Sequence, residues 1–254
     1  MAYGEEGVGS KLQRISVFAG IAVLLAILGL ALYGFMRWSD PDERIELALH
    51  TDPQAAPLYD IMRTEMPEEY AGFRAEMVRM TESGMSEREV AAAGHQYMMQ
   101  VILSNAQHIA SAPEDELYDV IDARLAVAQA LARENTGLCA TFAVSVLPPG
   151  MQVSGTAIDA ILQSGIANVR AIAAGRRDPH PREAPTQQDI DLYFAALLDE
   201  GLGQGGAVGV IEGTGLEALS TEEQCAMGQA AYAALDRLPQ DTMERLAAAL
   251  AGVE

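Results

Sequence analysis

The residues best suited to chemistry in this sequence are four histidines and two cysteines. His95 and His108 are predicted to share one helix, but thirteen residues at about 100° each put them about 220° apart, on different faces. The His-Glu-x-x-His pattern of zinc proteases is absent, and no histidine follows a glutamate by three positions, as di-iron helical bundles require. The histidines therefore predict no metal, cofactor-binding or catalytic site, and His95 and His108 are expected in or beside the core.

Two shorter spacings also have a chemical interpretation. Gly201, Gly203 and Gly206 have the spacing of a dinucleotide-binding turn, which functions when a strand precedes it and a helix follows. Here a helix is predicted before the glycines, and further glycines continue to position 215, so a flexible loop is expected. Glu46 and His50 lie four residues apart and form either a pH-sensitive pair or an ordinary surface contact.

Acidic residues dominate the charge of the chain. Asp115, Asp119 and Asp122 share one predicted helix face, but the glycine of a helix–loop–helix calcium site is missing, so a solvated face is expected. The net charge is −20, and residues 1–36 carry two basic and two acidic side chains, so all of it lies in 37–254. This charge repels phosphates and argues against nucleic-acid binding. Solubility is the expected role of the acidity, although a basic partner or a cation also fits.

These residues follow a long apolar stretch, Ile15 to Met36, which contains no charged side chain. At about 1.5 Å per residue it reaches about 33 Å, enough for the roughly 30 Å hydrocarbon core of a bilayer. A cleaved signal peptide is the alternative, but its apolar region is only about 7–15 residues long. The stretch therefore predicts a single uncleaved transmembrane helix that binds the lipid bilayer. Small residues four apart within it leave room for a second helix, so a homo-oligomer fits as well.

The predicted domains are a polar tail (1–14), the transmembrane helix (15–36) and an acidic helical domain (37–254). Lys11 and Arg14 favour a cytoplasmic N terminus. Arginine greatly outnumbers lysine, a bias typical of GC-rich bacterial genomes. We therefore expect an inner-membrane protein with a periplasmic domain.

Both cysteines, Cys139 and Cys225, lie beyond the predicted span, so one intramolecular pairing exists. An even count fits a disulfide in an oxidising compartment, whereas two buried free thiols are the alternative. Glu222 and Glu223 lie next to Cys225 and argue against a reactive thiolate there.

Apolar residues at intervals of three and four predict helices throughout 40–251. A helix from Glu87 to about Ser111 is apolar on most sides and is predicted to be central. Residues 138–147 fit either a helix or a short strand and are interpreted as a helix, because a lone strand has nothing to pair with. A proline-rich stretch at 176–186 is a candidate internal boundary. Three capping boxes mark predicted helix starts: Ser86 with Glu89, Thr186 with Asp189, and Ser220 with Glu223.

The sequence therefore predicts an all-α protein: one transmembrane helix followed by a multi-helix, bundle-like domain. The leading hypothesis is a membrane-anchored interaction or scaffold module of the bacterial cell envelope, with a protein partner of unknown identity and no cofactor. The alternatives are a membrane-tethered enzyme built from dispersed residues such as His95 and His108, and a domain that binds an apolar or cationic ligand between its helices.

Overall fold

Helices follow one another along the whole described part of the chain. The computed structural model describes residues 40–144, 153 and 155–252, and no β-strand occurs within these ranges. In chain order the α-helices are α1 (Pro41–Thr51), α2 (Ala56–Glu65), α3 (Pro67–Glu82), α4 (Glu87–Ser104), α5 (Ala106–Ala110), α6 (Glu114–Glu134), α7 (Thr136–Val144), α8 (Gly155–Arg177), α9 (Gln187–Asp199), α10 (Gln204–Glu212), α11 (Thr221–Ala233) and α12 (Gln240–Gly252). Short 3-10 helices occupy Leu216–Ala218 and Ala234–Arg237.

The all-α, multi-helix prediction is confirmed for the described residues. The ambiguous segment 138–147 is helical as far as Val144, in α7, and its last three residues lie outside the described part. The predicted tail (1–14) and transmembrane helix (15–36) also lie outside it. Within the described ranges, no helix has both the length and the apolar character needed to cross a membrane.

The most buried helix is α8, and the prediction that the helix beginning at Glu87 is central is wrong. Small residues alternate with Val169 and Ile172 along α8, and residues 166–169 and 171–175 are all buried. The small side chains let α2, α5 and α6 approach its backbone closely. By contrast, most residues of α4 are only half-buried or exposed, because α4 packs mainly on α3 at one side of the domain.

The predicted helix 87–111 is divided at Asn105, where the backbone leaves helical geometry (φ −115°, ψ 13°). The Asn105 side-chain amide donates a hydrogen bond of 2.8 Å to the carbonyl of Val101, so it competes with the backbone ladder. α5 therefore starts afresh at Ala106 and crosses α8 at Gly175, where the absence of a side chain permits backbone contact.

The glycine-rich stretch is not a flexible loop throughout, because residues 204–212 form helix α10. Gly203 stands at its N-terminus, and Gly213 ends it in the left-handed conformation that glycine adopts most easily (φ 64°). Ala207 is fully buried, so burial of apolar side chains outweighs the low helix propensity of the glycines.

The described residues from Ile45 onward form one compact unit that contains both sides of the predicted boundary at 176–186. Its largest hydrophobic cluster joins residues of α2, α3, α6, α8, α9 and α12. A second, smaller cluster surrounds the two cysteines and joins the C-terminal half of α6 with α7, α8 and α11.

Candidate functional site

The two cysteines are brought together on neighbouring helices. The Sγ atoms of Cys139, on α7, and Cys225, on α11, are 1.99 Å apart, and their Cα atoms are 5.0 Å apart, which fits a disulfide. Both residues are buried, and the side-chain amide of Gln229 lies 3.4 Å from the Cys225 sulfur. One turn from Cys225, Gly228 packs directly on Ala143 of α7. The predicted pair Cys139–Cys225 is thus a buried cross-link between two closely packed helices, and neither sulfur is exposed for chemistry.

A buried ion pair joins the start of α9 to α12. Asp189 is 2 % exposed, and its carboxylate accepts two hydrogen bonds from the Arg245 guanidinium, at 2.7 and 2.9 Å. The hydroxyl of Thr242 donates to the same carboxylate at 2.7 Å, and both the backbone and the hydroxyl of Thr186 donate at 2.8 Å. These donors, Arg245 above all, hold the pKa of Asp189 well below its ordinary value. The bonds from Thr242 and Arg245 join α12 to α9, and those from Thr186 cap the start of α9.

The loop at 178–186 is fastened by Arg182, whose side chain is 8 % exposed. Its guanidinium donates to the carbonyl of Ala110 (3.2 Å), the last residue of α5, and to those of Ala112 (2.8 Å) and His180 (3.2 Å). Its Nε also donates to Glu244 of α12 at 3.3 Å. Arg182 therefore satisfies backbone carbonyls at a helix end and ties the loop to two helices.

A third charged group, Arg176 at the end of α8, joins three elements. Its guanidinium bonds to Glu69 of α3 and donates at 2.7 Å to the side-chain oxygen of Asn105, between α4 and α5. The hydrogen bond from Arg176 lowers the pKa of Glu69 from its ordinary value. Like the bonds of Asp189 and Arg182, these bonds hold helices in place.

The histidines singled out in the sequence are dispersed. His95 lies on α4 and His108 on α5, each half-buried, so the break at Asn105 puts them on separate helices. His180 lies in the exposed loop, 3.2 Å from Asp178. His50 belongs to a larger cluster of ionisable groups, which includes Glu46 as the sequence suggested. Across residues 40–144, 153 and 155–252, no three His, Cys, Asp or Glu side chains are grouped as a metal site would need.

The acidic stripe of α6 is exposed at all three positions, so the predicted solvated face is confirmed. Partial burial and the negative charges of Asp236 and Asp119 raise the pKa of Asp122 from its ordinary value. The neighbouring carboxylates therefore repel one another.

These ionic contacts cannot be recognised in the sequence, because their partners are distant in the chain. Asp189 and Arg245 are 56 positions apart, and Arg176 and Glu69 are 107 apart. One local signal existed for the first pair, since the capping box of Thr186 and Asp189 already placed that carboxylate at a helix start.

No protein-family model, no curated protein and no solved structure matches the chain. Its function must therefore be inferred from its own residues.

Proposed function

We propose that this chain is a membrane-anchored helical interaction or scaffold module of the bacterial cell envelope. The observation that carries the proposal is that the buried charged side chains bond to other parts of the domain. Asp189 and Arg182 lie inside the domain, and each is bonded to groups on other helices or loops that it holds in place. Such bonds stabilise a rigid surface of defined shape, which is what a docking module needs.

Two further features support the proposed location. Ile15 to Met36 has the length and composition of a single transmembrane helix, which would bind the bilayer and tether the domain. The cysteines Cys139 and Cys225 are at disulfide distance, and disulfides persist in oxidising compartments such as the periplasm. A cytoplasmic N terminus and a periplasmic domain satisfy both features and the basic residues that precede the span.

The topology can be tested with reporter cysteines in spheroplasts, using a membrane-impermeant maleimide. Asp178→Cys places a thiol in the exposed loop between α8 and α9, where the wild-type side chain is 76 % exposed. Gly4→Cys, in the tail, is the matched control. We expect labelling of the first variant without lysis and of the second only after lysis. The reverse pattern would place the domain in the cytoplasm and refute the proposed location.

The scaffold role is tested by the size of the complex that the chain forms and by genetic complementation. In mild detergent, the full chain should migrate as a complex larger than its monomer. Replacing residues 15–36 by an unrelated span then shows whether the predicted span contributes to assembly. His95→Ala and His108→Ala should both complement a deletion strain. If either variant folds normally yet fails to complement, a dispersed enzyme site at that histidine would replace the scaffold proposal.

A further inference from the structure

Helix α1 is attached to its neighbours without a single fully buried side chain. Ile45 and Leu49 are half-buried against the main hydrophobic cluster, while Leu47, on the other side, is 64 % exposed. Apolar burial therefore stabilises the docking of α1 less than that of the other helices, and polar contacts carry a correspondingly larger share.

The main polar contact is His50, which lies between two carboxylates. Its Nε2 is 3.2 Å from Oε1 of Glu46 on α1, and its Nδ1 is 3.1 Å from Oδ1 of Asp60 on α2. An ionised carboxylate can only accept hydrogen bonds, so both contacts form only when both ring nitrogens carry a proton. An imidazolium can donate to both carboxylates, whereas a neutral ring can donate to only one of them.

Other charged groups face the same cluster from α2 and α3. Arg63 of α2 pairs with Asp60 at 3.1 Å, and Arg74 of α3 pairs with Glu46 at 2.9 Å. Arginine stays protonated at all ordinary pH values, so these two pairs do not change with pH. Arg63 also lies 3.9 Å from Glu46, too far for a direct hydrogen bond.

Tyr70 of α3 completes the cluster. Its hydroxyl donates to Oε2 of Glu46 at 2.9 Å, and its oxygen lies 3.2 Å from Nε2 of His50. Burial and then the neighbouring Glu46 raise the pKa of Tyr70 to about 12, so the phenol stays protonated. Burial also acts to raise the pKa of Glu46, but the bond from Tyr70 and the charge of Arg74 outweigh it, so this pKa lies below its ordinary value.

We propose that His50 makes the docking of α1 onto α2 and α3 dependent on pH. Histidine is the residue type in this cluster that changes charge between about pH 5 and 8. When His50 is protonated, it bridges Glu46 and Asp60 and holds α1 against α2. As the pH rises and the ring becomes neutral, the contact of His50 with Asp60, which joins α1 to α2, loses the attraction between opposite charges and weakens, so α1 detaches more often. This inference concerns residues 45–74 alone and does not depend on the proposed function.

Hydrogen exchange of the amides of residues 45–51, measured by mass spectrometry on the full chain in detergent, tests this inference. Exchange times are scaled for the intrinsic effect of pH on amide exchange. Because the cluster is partly exposed, we expect protection of this segment to fall by about fivefold between about pH 5.5 and 8. Protection that stays constant over this range, or a segment unprotected at every pH, would overturn the proposal.

Two variants and a control make the result specific. His50→Gln keeps hydrogen-bonding capacity but cannot titrate, so its protection should not change with pH. Asp60→Asn keeps the imidazole and removes one acceptor charge, so it should show a smaller pH dependence than the wild type even if His50→Gln disturbs folding. His180→Gln removes an exposed histidine that pairs with Asp178 and should behave as the wild type. An unchanged pH dependence in both His50→Gln and Asp60→Asn would refute the role of His50.

Discussion

Replacing Gly175 by alanine should destabilise the domain, because α8 and α5 touch through their backbones at this residue. A Cβ built on Gly175 would lie 2.0 Å from the carbonyl oxygen of His108 and 3.2 Å from the backbone nitrogen of Ala112. Neither atom belongs to a side chain that could rotate away, so α5 itself has to move. Overpacking of this kind costs about 1–3 kcal/mol, and a forced backbone shift belongs at the upper end.

Alanine favours a helix interior over glycine by about 0.5–1 kcal/mol, which offsets part of this cost. The net loss for Gly175→Ala is therefore about 2 kcal/mol, or a melting temperature lower by about 4–8 °C for a domain of this size. Urea denaturation followed by far-ultraviolet circular dichroism measures the free energy of unfolding, with the oxidised full chain in detergent as reference.

Gly205→Ala is the matched control. Gly205 lies in α10, is exposed, and has no heavy atom within 4 Å of the built Cβ. This variant should be as stable as the wild type or more stable by up to about 1 kcal/mol. If Gly175→Ala proved as stable as Gly205→Ala, α5 and α8 could not be in backbone contact, and the packing around α8 would have to be revised.

Three other changes test the remaining contacts. Replacing Cys139 and Cys225 by alanine opens a link between residues 86 apart and should cost about 4–5 kcal/mol, seen as a lower urea midpoint than that of the oxidised wild type. Asp189→Asn should destabilise the domain at neutral pH. Since the folded state depresses the pKa of Asp189, the difference in free energy of unfolding from the wild type should be full above about pH 4 and should shrink as the pH falls. A difference that stays constant with pH would contradict the ion pair. Arg182→Ala leaves the carbonyls of Ala110 and Ala112 without this donor and should cost about 2–3 kcal/mol. It should also speed cleavage after Glu183 by a glutamate-specific protease, and unchanged cleavage would show that the loop is held by other contacts.

The helix starts could be predicted from the sequence because their signals are local. The three predicted capping boxes form, those of Ser86 with Glu89, Thr186 with Asp189 and Ser220 with Glu223. Each depends only on residues three apart, so no knowledge of the tertiary fold is needed. The cysteine pairing was equally accessible, since two cysteines permit only one intramolecular bond.

Which helix is the most buried could not be predicted, because burial depends on contacts between residues that are distant in the chain. Apolar residues cover most of the helix that begins at Glu87, yet α8 is the more buried helix because its alanines and Gly175 allow close approach. The helical state of 204–212 is unpredictable for the same reason, since glycine propensity is a local property and burial of Ala207 is not. Of the cluster around His50, only Glu46 lies within one helical turn of it.

The redox state of Cys139 and Cys225 inside growing cells tests both the disulfide and the proposed periplasmic location of the domain. Cells are quenched in acid, free thiols are blocked with a permeant maleimide under denaturing conditions, and the protein is then reduced and labelled with a maleimide of high mass. A sample reduced before blocking serves as the control. An external module closed by this disulfide predicts that both cysteines take the heavy label, because both were bonded in the cell. Two blocked thiols and no heavy label would place the domain in a reducing compartment and contradict the central claim.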